Sequence, residues 1–251
     1  RMPVLDDDLH VVGLHLAEAL IGNLCLDNIA VIMAGGKGER LKPLTDEIPK
    51  PMMKVAGHPI LEHIILHLSA SGIRTIYIAV NYLADVIENY FKDGSMFGCS
   101  IHYLREKNPL GTAGALSLLP EKSRFPIFVV NGDLITHFDV QAMLHYHQKS
   151  KNIMTIGIHD YIQSIPYGVI DVNGTGVVSI YEKPEKHYNI NGGIYIIEPE
   201  LIDTVPDENT FQMTELISST INNKQKVGAH LIERSWVDVG QHKDLEIAQG
   251  R

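Results

Sequence analysis

Cysteine is nearly missing from these 251 residues: Cys25 and Cys99 are too few for a disulfide framework, and a reducing compartment, the cytoplasm, is expected. Tryptophan occurs once, at Trp236. Positive charge is in short supply, with 21 lysines and arginines against 30 aspartates and glutamates. The net charge of -9 argues against a nucleic-acid partner, whose polyanionic backbone selects for basic surfaces. Long hydrophobic runs are lacking too. No apolar stretch approaches the ~18 residues of a membrane-spanning helix, and the acidic N-terminus has no signal-peptide core, so no membrane partner is expected. A chain opening on Arg1 is expected to be a trimmed one. What is left is 45% hydrophobic with a mean hydropathy of +0.01, ordinary for a globular enzyme. The length suits one large α/β domain with room for a small appendage.

Glycine and positive charge concentrate in one stretch. The branched apolar run Ile29–Met33 passes through Ala34 into Gly35, Gly36 and Gly38. Such a run reads as a buried parallel strand feeding a backbone loop. Glycines let the main chain approach a ligand, and their N–H groups can converge on phosphate oxygens. Lys37, Arg40, Lys42 and Lys50 ring the turn, so a polyphosphate site is expected there. It is not a P-loop, because no Gly-Lys-Ser/Thr follows a four-residue spacer. Nor is it a dinucleotide fingerprint: Leu41 stands where the third glycine belongs. Pro43, Pro49 and Pro51 forbid a continuous helix, so a long, extended, mobile loop is expected.

Downstream, apolar Ile60, Leu61, Ile64, Ile65 and Leu68 repeat at helical spacing between Pro59 and Gly72. A strand at 74–80, a helix at 84–91 and a strand at 100–104 continue an alternation that predicts a parallel sheet covered by helices. Gly111-Thr112-Ala113-Gly114 then opens an apolar helix at the carboxyl edge of that sheet, where doubly wound folds bind ligands. Glu106 stands just before this loop. A carboxylate accepts two adjacent N–H donors well. The resemblance of this loop to the base-binding segment of guanylyltransferases implies guanine, with its N1–H and N2–H₂, while uracil, thymine or cytosine recognition stays open. A fully apolar strand ends at Asn131-Gly132-Asp133. A carboxylate at such a strand end needs a partner, and beside a triphosphate the expected one is Mg²⁺. Further elements are expected at 139–150 (helix), 153–159, 167–172, 177–181 and 189–197 (strands) and 242–249 (helix). His63 and His67, four apart, have metal-capable spacing, but two helix-surface histidines are the simpler reading, and the same holds for His145 and His147.

Gly-Gly-x-Gly-x-Arg-Leu-x-Pro-Leu-Thr followed by Pro-Lys-Pro resembles the signature loop of the sugar-1-phosphate nucleotidylyltransferases. Leu110–Gly114 is especially similar to the mannose- and heptose-1-phosphate guanylyltransferase members. Tyr-Gly-Val at 167–169, Glu182-Lys183-Pro184, Asn191-x-Gly-Gly-Ile-Tyr and Trp236-x-Asp238-x-Gly240 resemble the family's later motifs in the same order. One position departs: Glu39 stands where many members carry threonine, which leaves the backbone donors and Arg40 to meet phosphate.

The resemblance spans 29–250 and implies a Rossmann-like three-layer α/β/α fold with a mostly parallel sheet, without the C-terminal β-helix many members append. It implies transfer of a nucleotidyl group from an NTP, GTP first, to a sugar 1-phosphate. Ala34, Gly35, Gly36, Gly38, Glu106, Gly111 and Thr112 would bind nucleotide. Arg40 would meet the departing pyrophosphate, Lys50 the α/β-phosphates and Lys183 the sugar phosphate. Gly168, Glu182 and Asn191 would hold the sugar, and Asp133 and Asp238 would hold Mg²⁺. A second function class is a nucleotide-sugar sensor that binds without turnover; pyrophosphate release separates the two.

Residues 1–28 stand apart. A strand, an acidic turn, a second strand and a short helix at 17–21 resemble the end of a CBS repeat, with Gly22 and Asn23 in a linker. The alternative is a plain N-terminal hairpin. The first reading divides the chain into a CBS remnant at 1–28 and a catalytic domain at 29–251, and implies adenine-nucleotide regulation through an upstream module. Homo-oligomerisation stays open.

Overall fold

Ala30, Ile32, Phe128, Val130, Ile194 and Ile196 are buried on one side of a sheet, and Val31, Ile127, Val129, Tyr195 and Ile197 on the other. Successive strand residues face opposite ways, so a strand covered on both faces must be apolar throughout. That is why these segments read as continuous hydrophobic runs. In the computed structural model, residues 2–5, 11–15, 25–207, 209–233, 236–239 and 244–246 are described, with 2–5, 11–15 and 236–238 as backbone.

Among these residues the order is β1 (Met2–Leu5), β2 (Val11–His15), β3 (Leu26–Met33), β4 (Lys54–Val55), β5 (His58–Pro59), α1 (Ile60–Ala70), β6 (Ile73–Val80), α2 (Ala84–Phe91), β7 (Ser100–Arg105), α3 (Gly111–Gly114), β8 (Ile127–Asn131), β9 (Leu134–Thr136), α4 (Val140–Ser150), β10 (Met154–Ser164), β11 (Val169–Asn173), β12 (Gly176–Tyr181), β13 (Glu185–Ile197), α5 (Pro199–Ile202), α6 (Met213–Asn222), β14 (Val227–Leu231) and β15 (Trp236–Asp238). β1 and β2 form an antiparallel pair of their own. The central sheet has seven strands in the order β14-β10-β13-β8-β3-β6-β7. β13 runs antiparallel to both its neighbours, β8 and β10, and the other pairings are parallel. Helices α1, α2 and α4 pack on one face, and α3, α5 and α6 on the other, giving three layers. The core is close-packed: Phe128 is 0% exposed, and truncating such a ring costs roughly 3–5 kcal/mol.

Topology places the site. From β3 the chain moves outward through β6 to β7, then returns to β8 on the opposite side of β3. The carboxyl ends of β3 and β8 are therefore a switch point, where a crevice opens. Because β13 is antiparallel, its first half, with Asn191, reaches the same edge. Beyond the sheet β10 and β13 stay paired, Ile158 with Asn191 and on to Ser164 with Glu185, as a two-stranded arm. The hairpin of β11 and β12 lies between them in sequence, with Val169 paired to Tyr181.

Several expected elements change length. β10 and β13 run well past the apolar segments that marked them, because the arm is built from polar residues such as Asp160, Gln163, Lys186 and His187. The helix at Gly111 lasts one turn and gives way to a 3₁₀ segment, Ala115–Leu118. At the chain end only 244–246 of the expected 242–249 helix lies within the described residues, and there it is helical. The expected helix at 17–21 and the linker at Gly22 and Asn23 lie outside them. Among the described residues no helix is long and apolar enough to cross a membrane.

Candidate active site

β3 delivers the main chain into the crevice through Met33 and buried Ala34, whose N–H donates to the Ala79 carbonyl at 2.9 Å. The loop beyond is not extended, as the prolines suggested. It folds into two 3₁₀ turns, Glu39–Leu41 and Lys50–Met52. Proline forbids a long helix but suits the first positions of a single turn. Gly38 starts the first turn at φ 63, and the Thr45 hydroxyl donates to its carbonyl at 2.9 Å. A Cβ on Gly38 would sit 3.0 Å from Thr45 and 3.1 Å from Lys50. Leu41 is buried beneath the turn, while Gly36, Lys37, Glu39 and Arg40 face solvent.

β8 ends beside this loop. The Gly132 N–H donates to the Met33 carbonyl at 2.9 Å, and a Cβ on Gly132 would lie 2.7 Å from that oxygen. Glycine is what lets two strand ends meet backbone to backbone and brings Asp133 against the glycine loop. Lys50, 8% exposed, forms a short ion pair with Asp133. Gly36, Gly38, Arg40, Lys50, Gly132 and Asp133 are among the walls of a chamber of about 330 Å³.

A second chamber of about 210 Å³ adjoins it, sharing Met33, Gly36 and Asp133. Its own walls include Gly35, Glu106, Pro109, Gly111, Thr112 and Asn131. Glu106 is held at both ends. Its N–H donates to the Val80 carbonyl at 2.9 Å, and its carbonyl accepts from Asn81 Nδ2 at 2.8 Å. Oε2 accepts the Leu110 N–H at 2.7 Å. Oε1 would be 2.5 Å from a Cβ on Gly35, so the carboxylate is seated against the glycine loop. Burial pushes its pKa above the usual carboxylate value, against the opposing pull of the Leu110 N–H. Thr112 presents a wall, while its hydroxyl accepts the Met213 N–H at 2.9 Å.

The structure thus gathers Ala34, Gly35, Gly36, Gly38, Arg40, Lys50, Glu106, Gly111, Thr112 and Asp133 around one two-chambered cleft. Gly168, Glu182, Lys183 and Asn191 line neither chamber. Gly168 and Glu182 meet across the hairpin, where a Cβ on the glycine would be 3.1 Å from Glu182 Oε2. Lys183 follows β12, exposed, at φ 45. Asn191 Oδ1 accepts the Gly193 N–H at 3.0 Å, and a Cβ on Gly193 would stand 2.7 Å from Asn131 Nδ2. Buried Tyr195 bonds to Asn191 and feels the charge of Asp133; burial, chiefly, raises its phenol pKa.

Asp238 is described by its backbone. β15 pairs with β9 so that Asp238 is opposite Leu134, and the Val239 N–H donates to the Asp133 carbonyl at 3.2 Å. Two carboxylate positions on adjoining backbone suit a hard cation. Mg²⁺ is commonly held by one or two carboxylates together with substrate phosphates, so the donor set fits. Among the described residues no group of three or more His, Cys, Asp or Glu converges to hold a metal ion.

The histidines hold the scaffold. His63 and His67 meet the carbonyls of Val55 and Phe138, each at 2.9 Å. His145 is exposed, but His147 is fully buried, which corrects its reading as a surface residue. His147 lies between Thr155 Oγ1 at 2.8 Å and Glu198 Oε1 at 3.2 Å, and burial lowers its pKa. Sequence reasoning gave no role of their own to Asn81, Asn131, Gly132 and Tyr195. Asn131 and Gly132 stood beside Asp133 in plain sight, whereas Asn81 acts through a fold-dependent contact.

Comparison with known proteins identifies the family. The model of the family described as "Nucleotidyl transferase" matches residues 29–250. Mannose-1-phosphate guanyltransferase 2 of Candida glabrata is 34% identical over 232 residues, covering 88% of this chain and 63% of its own. Mannose-1-phosphate guanyltransferase of Kluyveromyces lactis is 35% identical over 224 residues, covering 86% and 62%. This chain therefore spans less than two thirds of the length of those relatives. Among solved structures, HddC from Yersinia pseudotuberculosis superposes with TM-score 0.70 at 26% identity, over 89% of this chain and 98% of its own; it is also known complexed with GMP-PN. A putative glucose-1-phosphate thymidylyltransferase from Bacillus anthracis shares the fold, with TM-score 0.71 at 22% identity over 88% and 94%. With a glycine-rich loop and Asp133 facing each other at the switch point, and a family match over nearly all of its length, this chain belongs to the nucleotidyl transferase family.

Proposed function

We propose that the chain is a sugar-1-phosphate guanylyltransferase, converting GTP and a sugar 1-phosphate into a GDP-sugar and pyrophosphate. The observation that carries this reading is the meeting of the glycine loop, Lys50 and Asp133 at one end of a cleft whose other end holds Glu106. The names of the relatives support guanine as the base, and the pairing of a carboxylate with guanine's adjacent N–H donors supports it independently.

In this reading a phosphate oxygen of the sugar 1-phosphate attacks the α-phosphorus. A new P–O bond forms as the bond to the β-phosphate bridging oxygen breaks, and pyrophosphate leaves with that electron pair. Such transfers need in-line positioning and charge neutralisation rather than a covalent intermediate. Ala34, Gly35, Gly36 and Gly38 present backbone to the triphosphate, and Arg40 meets the departing pyrophosphate. Lys50 exchanges its Asp133 partner for the α/β-phosphates when nucleotide enters. Glu106 accepts the base, which lies against Gly111 and Thr112. Lys183 holds the sugar phosphate, with Gly168 and Glu182 from the hairpin and Asn191 from the arm holding the sugar. Asp133 and Asp238 would hold Mg²⁺, which supplies positive charge to the phosphate oxygens.

The work is assigned to the cytoplasm. Residues 29–251 form the catalytic unit in this reading, and the hairpin of β1 and β2 is the remnant of a CBS-like module through which adenine nucleotides act. The direct test is pyrophosphate release that requires both a nucleotide and a sugar phosphate. Release with GTP supports the proposal. Release confined to UTP, dTTP or CTP overturns the base, and binding without release marks a sensor.

A further inference from the structure

The wall of the base chamber is held from a distant part of the chain. Residues 209–213, just before and at the start of α6, run alongside the Leu110–Gly114 loop. The Phe211 N–H donates to the Leu110 carbonyl at 2.8 Å, and the Phe211 carbonyl accepts the N–H groups of Ala113 and Gly114, each at 3.0 Å. The Thr210 hydroxyl donates to the Pro109 carbonyl at 2.9 Å. Gln212 Oε1 faces both the N–H and the hydroxyl of Thr112, at 3.4 and 3.3 Å. The loop glycines are fitted to this segment: a Cβ on Gly111 would lie 2.7 Å from Gln212 Nε2, and one on Gly114 would lie 2.8 Å from the Asn209 carbonyl.

Two consequences follow. A hydroxyl has one proton to give. Thr112 Oγ1 accepts from Met213 N–H, and its proton is directed to Gln212 Oε1, so it offers the base a surface rather than a donor. The clamp also reaches Glu106. Leu110 takes Phe211 on its carbonyl side and gives its own N–H to Glu106 Oε2 at 2.7 Å. The clamp is anchored in turn, because Gln212 and Glu215 form a reciprocal capping box and α6 buries Met213, Leu216 and Thr220.

We propose that Gln212 is a positioning residue for the base chamber: it fixes the Gly111–Thr112 turn, beside the Glu106 carboxylate that Phe211 holds through Leu110, and so sets nucleotide affinity without lining the chamber. This rests on the assignment of the Glu106 chamber to the base. Gln212→Ala removes the acceptor for Thr112, Gln212→Glu keeps a carboxyl-type acceptor in its place, and Glu215→Ala weakens the same helix cap without touching Thr112. Nucleotide affinity is read by calorimetry on the full chain with GTP, UTP, dTTP, CTP and ATP separately, without sugar phosphate; KM and kcat are read by pyrophosphate release.

Gln212→Ala is expected to weaken whichever nucleotide binds by roughly tenfold, the scale of one or two lost hydrogen bonds. kcat and the KM for sugar phosphate should stay within about twofold, and Gln212→Glu should recover most of the affinity. Glu215→Ala should lower Tm and leave nucleotide affinity intact. Unchanged affinity in Gln212→Ala, or an equal loss in Glu215→Ala, overturns the role. If UTP is bound in place of GTP and Gln212→Ala weakens it, the guanine reading fails while the positioning role stands.

Discussion

In the proposed function Asp133 and Glu106 would divide the cleft's chemistry between them. Asp133→Asn keeps the shape of the side chain but removes the charge that faces Lys50 and any metal. It is expected to lower kcat by roughly 10²-fold or more while Tm stays within a few degrees, as measured by pyrophosphate release and thermal unfolding. Near-normal turnover would contradict its assignment. Glu106 carries a pH prediction. Burial raises its pKa, so on acidification it takes up a proton earlier than an ordinary exposed carboxylate does. Guanine needs the ionised form as acceptor. GTP affinity should therefore fall, as pH drops, from a point above the usual glutamate range, and Glu106→Gln should flatten that limb and weaken GTP at neutral pH. A wild-type profile unchanged in the Gln variant would contradict the role.

The two strand-end loops are one construction, because β3 and β8 are neighbours and Gly132 lies on the Met33 carbonyl. A methyl at Gly132 would need a backbone atom 2.7 Å away to move. Gly132→Ala is expected to cost roughly 1–3 kcal/mol in denaturant unfolding, and to impair phosphate binding by shifting Asp133 away from the loop. Much of this was legible in the sequence, since the glycines, Lys50, Asn131 and Asp133 stand in two short stretches that each follow an apolar strand. Less legible was whatever depends on contact between distant elements. No element was expected around Gln212, and nothing local says that it grips Thr112 one hundred residues earlier. His145 and His147 look alike in sequence, yet only the second turns into the core between α4 and β10. The arm of β10 and β13 escaped the hydrophobic pattern because polar residues build it.

At the scale of the molecule, a seven-stranded sheet with a single antiparallel strand, β13, sets the division of labour. Parallel strands bring the glycine loop, Glu106 and Asp133 to one edge, while β13 returns to that edge from the opposite direction carrying Asn191. Nucleotide and sugar phosphate would meet between a rigid sheet edge and an arm that extends past it. The fold class was predictable from strand–helix alternation, whereas the reversed strand was not, because an apolar run does not state its direction. The measurement that tests the account most directly is pyrophosphate release with Mg²⁺, pairing GTP, UTP, dTTP, CTP and ATP with hexose, hexosamine and heptose 1-phosphates. The account predicts release that needs both substrates and is strongest with GTP. Nucleotide binding without release for every pair would contradict it.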